Sequence, residues 1–128
     1  MPAEILILGF TEYHQRMLSD YLSATDYRCR FFKDADPFFF ALSNDTPQLI
    51  ILDVNLSSEI VYAVIGRVKN ALPTRHIPVI GISNENEAVL ALDAGADSFL
   101  RFPVGQAEFL ARVRSLLRRL PEFYQITP

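Results

Sequence analysis

The chain has 128 residues, enough for one domain with a real core and too few for two. Half of it is hydrophobic and 21% is charged, which excludes a disordered chain, and a net charge of -3 gives no general attraction to nucleic acid or anionic membrane. The lone Cys29 excludes an intrachain disulfide and a Cys-rich zinc site, and no apolar run approaches the ~20 residues that span a bilayer.

Taken in chain order, short apolar runs alternate with helical patterns. Ile5-Leu6-Ile7-Leu8 reads as a buried strand, continuous and β-branched. Thr11 is the expected N-cap of a first helix, with Glu12 in its first turn, where an acid suits the helix dipole. Arg28–Phe32 reads as a more polar strand near a sheet edge. Asp36-Pro37 reads as a cap followed by proline at the first helical position, opening a short helix through Phe38-Phe39-Phe40. Three consecutive rings cover too much of a helix circumference for all to face a core, so one is expected to be exposed.

Leu49-Ile50-Ile51-Leu52 is a strand closed by Asp53. A third helix is expected from Ser58 to Leu72, with Ile60, Val64, Ile65 and Val68 as its buried stripe and Pro73 as its stop. Pro78–Ile82 reads as a fourth strand with proline at its first residue, and Glu87–Ala94 as a helix ending at Gly95. Ser98–Arg101 is a short fifth strand. Gln106–Leu120 is an amphipathic helix with Phe109, Leu110, Val113, Leu116, Leu117 and Leu120 on one side. Residues 1–120 are expected to form the domain, and 121–128 a tail or the start of a linker.

Five strands alternating with five helices imply an α/β fold: a five-stranded parallel sheet with helices on both faces. The flavodoxin-like strand order 2-1-3-4-5 suits this length and places the first and third strands side by side at the centre. Positions 9–10, 53, 83 and 102 then meet at the carboxyl edge, where such sheets put their chemistry.

Several segments in this order resemble the response-regulator receiver domain. They are the first strand, Leu52-Asp53-Val54-Asn55-Leu56, Ile77-Pro78-Val79-Ile80-Gly81-Ile82-Ser83, Ala91-Leu92-Asp93-Ala94-Gly95-Ala96-Asp97-Ser98-Phe99-Leu100, and Phe102-Pro103 in place of a Lys-Pro pair. The resemblance covers residues 4–120 and implies a CheY-like module of two-component or phosphorelay signalling rather than an enzyme. By position it makes Asp53 the phosphoacceptor, Ser83 the switch hydroxyl and Phe99 the switch aromatic. Asn55 would offer its backbone carbonyl to a metal.

The chain departs from that pattern where charge is needed. The family's acidic pair falls on Gly9 and Phe10, and its lysine on Phe102. Mg²⁺ wants oxygen ligands, and phosphoryl transfer is mostly positioning plus charge stabilisation. A degenerate pseudo-receiver is therefore expected, with no cofactor and no metal; only Asp53 and Asn55 remain as weak metal ligands. The alternative is a working phosphoacceptor with a relocated Mg²⁺ held with help from Glu59 or Glu85. Glu12 is expected to serve its helix, and Arg101 to point away from Phe102.

The expected partners are a sensor kinase or another signalling protein. The resemblance adds a homodimer across the fourth helix, fifth strand and fifth helix through Asp97, Glu108 and Arg112, although Ala88 stands where a basic residue is expected. Nucleic acid would be reached only through a downstream output domain, Arg112, Arg114, Arg118 and Arg119 reading as a solvated face. With no basic leader before the first strand, the cytoplasm is the expected location. His14 and His76 lack ligand spacing and read as solvated. Phe102-Pro103 is expected as a cis peptide.

Overall fold

A computed structural model describes residues 2–55 and 58–118, without the side chain of Ser58. The elements are β1 (Glu4–Leu8), α1 (Glu12–Leu22), β2 (Arg28–Phe32), α2 (Ala35–Asn44), β3 (Leu49–Asp53), α3 (Ser58–Asn70), β4 (Val79–Ser83), α4 (Ala88–Ala94), β5 (Ser98–Arg101) and α5 (Gln106–Arg118). The strands form one parallel sheet in the order β2-β1-β3-β4-β5. Every residue of β3 and β4 is buried, as two helical layers require, while the edge strand β2 is half-exposed.

Strand alternation divides the core in two. Leu6, Leu8, Ile50 and Leu52 face α2 and α3, where they meet Phe38, Val61, Val64, Ile65 and Val68. Ile5, Ile7, Leu49, Ile51, Ile80 and Ile82 face α1 and α5, where they meet Leu18, Leu22, Phe109, Val113 and Leu116. Such a sheet carries its information in the apolar period, and the register Ile7↔Ile51 and Leu8↔Leu52 brings the ends of β1 and β3 together.

Several local expectations change. The α2 helix begins at Ala35, two residues earlier than the expected Pro37, with Asp34 rather than Asp36 at its N-cap and Pro37 third in the helix. Proline is tolerated there because first-turn N–H groups have no intrahelical acceptor. In α3, Ile60 is 51% exposed and Val61 is buried instead. Positions 61, 64, 65 and 68 follow the i, i+3, i+4, i+7 stripe, and Ile60 lies about 100° off it. Pro78 precedes β4 rather than opening it.

The three α2 rings separate as expected: Phe38 is fully buried, Phe39 half-buried and Phe40 72% exposed. Phe102-Pro103 is cis. Burial pushes the Cys29 thiol up to about 11, so it stays protonated and unreactive. Leu120 and the expected tail 121–128 lie outside the described residues.

Candidate functional site

The carboxyl edge of the sheet gathers Gly9, Phe10, Asp53, Asn55, Ser83 and Phe102. Asp53 ends β3 and is only 6% exposed. Its Oδ2 accepts the N–H of Phe10 at 2.9 Å, and its Oδ1 accepts the N–H of Asn55 at 2.8 Å. Both oxygens of a buried carboxylate are thereby satisfied by backbone donors, the arrangement that buried charge requires.

The turn after β1 is shaped to make this contact. Gly9 and Phe10 have φ of 92° and 77°, successive left-handed residues across which the Gly9 N–H donates to the Phe32 carbonyl and the Phe10 N–H turns to Asp53. Glycine is required at the first position, because a Cβ there would stand 2.7 Å from the Asp53 Cβ. Phe10 adopts the same region at a steric cost and is held by packing. Its ring meets Phe102 edge-on at 6.2 Å, and His14 stacks on the other side of Phe102 at 3.9 Å and 4°. His14 is thus half-buried against the site rather than solvated. This aromatic wall closes the β5 flank.

The opposite flank is open. A cleft of about 460 Å³ over Asp53 is lined by Gly9, Phe10, Thr11, Glu12, Lys33 and Asn55. Lys33 follows Phe32, whose carbonyl accepts the Gly9 N–H at 2.8 Å. It is the one cation among the described residues lining the cleft, and the sequence reading missed it because it lies just past the edge strand β2, away from every motif. Glu12 is committed to an exposed pair with Arg16 at 3.3 Å, and Thr11 caps α1 by accepting the His14 N–H.

Ser83 is fully buried at the end of β4 and donates to Asn55 Oδ1 at 2.7 Å, while the Glu85 N–H donates back to the Ser83 hydroxyl at 3.0 Å. Asn55 Oδ1 also accepts the Asn84 N–H at 3.3 Å. Asn55 therefore ties the loops after β3 and β4 together. Glu59 and Glu85 are exposed and join neither the Asp53 hydrogen bonds nor the cleft lining. Arg101 is exposed and donates to the Asn84 carbonyl, facing away from Phe102. Phe99 is half-buried against the α3–α4 side of the sheet.

The three residues expected at a dimer face are placed apart in role. Asp97 accepts from Lys69 Nζ at 2.7 Å and from the Val79 N–H at 2.8 Å. Arg112 donates to the Ser98 hydroxyl at 2.7 Å, and Glu108 is exposed. On α4, Val89, Leu90 and Leu92 are exposed aliphatic side chains. His76 is half-buried; desolvation and the neighbouring Lys69 ammonium lower its pKa from the usual histidine value.

Residues 5–114 match the response regulator receiver domain model. The chain is 31% identical over 121 residues to the response regulator PleD of Caulobacter vibrioides, covering 92% of this chain and 27% of that protein. It is 30% identical over 125 residues to the transcriptional regulatory protein GltR of Pseudomonas aeruginosa, covering 95% of this chain and 51% of that protein. It therefore spans between about a quarter and a half of these relatives. Among solved structures, the signal receiver domain of a signal transduction histidine kinase from Syntrophus aciditrophicus superposes with a TM-score of 0.82 at 29% identity, covering 98% of both chains.

Proposed function

The chain belongs to the response regulator receiver domain family of two-component signalling, and from that premise we propose that it acts chiefly as a protein-interaction module whose Mg²⁺-dependent phosphorylation at Asp53 is weak or absent. The observation that carries this reading is the commitment of Asp53 itself. Both of its oxygens accept backbone N–H groups, and the acid and lysine positions around it hold Gly9, Phe10 and Phe102.

A magnesium ion fits these residues poorly. It requires near-octahedral oxygen coordination and keeps a carboxylate or two. Here the resemblance leaves only the Asn55 backbone carbonyl beside Asp53 as a ligand, Glu12 is paired with Arg16, and Lys33 adds positive charge to the cleft wall. Among the described residues no group of three His, Cys, Asp or Glu side chains could hold a metal. A phosphoryl group arriving at Asp53 would find Lys33 on the cleft wall, but Phe102 in place of the family's lysine to offset its charge.

In this reading the domain carries no catalysis of its own. Its partners are a sensor kinase or another signalling protein, and any output is supplied elsewhere. No described helix is long and apolar enough to cross a membrane, and the cytoplasm is the compartment proposed. Incubation with acetyl phosphate and Mg²⁺, followed by intact mass, tests the reading. The expected result is an unchanged mass. A gain of one phosphoryl that disappears in Asp53→Asn would establish a working phosphoacceptor instead.

Self-association across α4, β5 and α5 is a secondary reading, favoured by the exposed Val89, Leu90 and Leu92 on α4. Light scattering of the wild type against Arg112→Ala tests it: a dimer that dissociates in the variant supports it, and a monomer mass in both removes it.

A further inference from the structure

Far from Asp53, the C-terminal halves of α2 and α3 enclose a hollow of about 300 Å³ lined chiefly by Phe39, Leu42, Thr46, Arg67, Ala71 and Pro73. Thr46 lies just before β3 and Pro73 lies ahead of β4. The hollow therefore opens at the edge of the sheet where strands begin, about 16 Å of extended β3 away from the phosphoacceptor position. Nothing in the signalling chemistry above uses it.

One of its walls is a guanidinium. Arg67 lies over the Phe39 ring with its central carbon 3.8 Å from the centroid. Arg67 takes part in none of the ion pairs Arg16–Glu12, Arg30–Asp45 and Lys69–Asp97 and has no described carboxylate within ion-pair distance. It makes no hydrogen bond to another described residue either. Stacking satisfies the face of the planar group and leaves its in-plane N–H fork free. A fork of this kind matches a carboxylate in bidentate geometry, and the ring beneath fixes its orientation before any ligand arrives.

We propose that this hollow binds a small organic acid: a carboxylate on an apolar body the size of one ring or a short alkyl chain. The carboxylate pairs with the Arg67 fork, with the Thr46 hydroxyl beside it, and the body lies among Leu42, Ala71 and Pro73. The volume is at the lower end of ligand pockets, which sets the size limit. The ligand would bear on α3, the helix that follows the Asn55 loop, and so offers this domain an input that does not pass through Asp53.

The test is an NMR titration of the full chain with 3-phenylpropionate, against its neutral amide. The expected result is saturable shifts at the Leu42 and Ala71 methyls, with affinity weaker by roughly tenfold for the amide and in Arg67→Gln, the loss of one charge-assisted contact. Arg67→Lys, which keeps the charge, should retain the preference for the acid. Absence of saturable shifts there, or equal affinity for acid and amide, overturns the proposal, as does binding indifferent to Arg67→Gln. None of these outcomes alters the receiver assignment or the reading of Asp53.

Discussion

Asp53 is held as a structural acceptor, and that gives its substitutions a defined order. Asp53→Ala leaves the buried Phe10 N–H and the Asn55 N–H without acceptors, at about 1–3 kcal/mol each. Asn keeps one acceptor, so Asp53→Asn should lose roughly half as much in urea unfolding. An increase in stability in either variant would show a strained carboxylate rather than a satisfied one. Gly9→Ala should cost about 2 kcal/mol by the same measurement, since it meets both a positive φ and the Asp53 Cβ.

His76 has its pKa lowered by burial and Lys69. The unfolded chain takes up that proton first as pH falls through about 6.5. Its contribution to stability is therefore complete above that pH and is lost on acidification between the unfolded and folded values. His76→Gln should flatten this part of the stability profile.

The sequence placed Asp53 because a carboxylate closing an apolar run is visible in one dimension. Its partners were hidden. A Phe in the left-handed region, and an imidazole stacked on a ring from the far end of the chain, follow from tertiary packing and leave no local pattern.

At the scale of elements, α2 and α3 show how much periodicity resolves. The prediction that one of three consecutive rings must be exposed needs only helix geometry, and Phe40 is that ring. Phe38 is its opposite, fully buried with edge-on contacts to Phe32 and Phe39. Phe38→Ala should cost about 3–5 kcal/mol, whereas Phe40→Ser should stay within about 0.5 kcal/mol, both read by denaturant midpoint. A large cost at Phe40 would mean that the ring is covered in solution. In α3 the pattern misled by one residue: Ile60 and Val61 are adjacent and both β-branched, so composition does not say which faces the sheet. The start of α2 was missed because proline fits several first-turn positions equally well.

For the whole molecule, the alternation of apolar strands and helices carried the topology, and the sheet has the order it implied. Two separate cores on a fully buried central pair of strands explain why the apolar runs look continuous rather than alternating. The charge distribution at the carboxyl edge was less legible. The resemblance set Gly9, Phe10 and Phe102 at positions where charges were expected, but the aromatic wall on one flank and Lys33 on the other emerge only when β2 and β5 are folded to either side of β3.

That asymmetry is the heart of the proposal: a receiver fold whose acid accepts from its own backbone and, among the described residues, belongs to no group of three His, Cys, Asp or Glu side chains that could hold a metal. The most direct measurement is a Mg²⁺ titration at millimolar concentration, followed through the amide resonances of Gly9, Phe10, Asp53 and Asn55. The account expects no saturable shift at these four positions. A saturable shift centred on them and abolished by Asp53→Asn would contradict it.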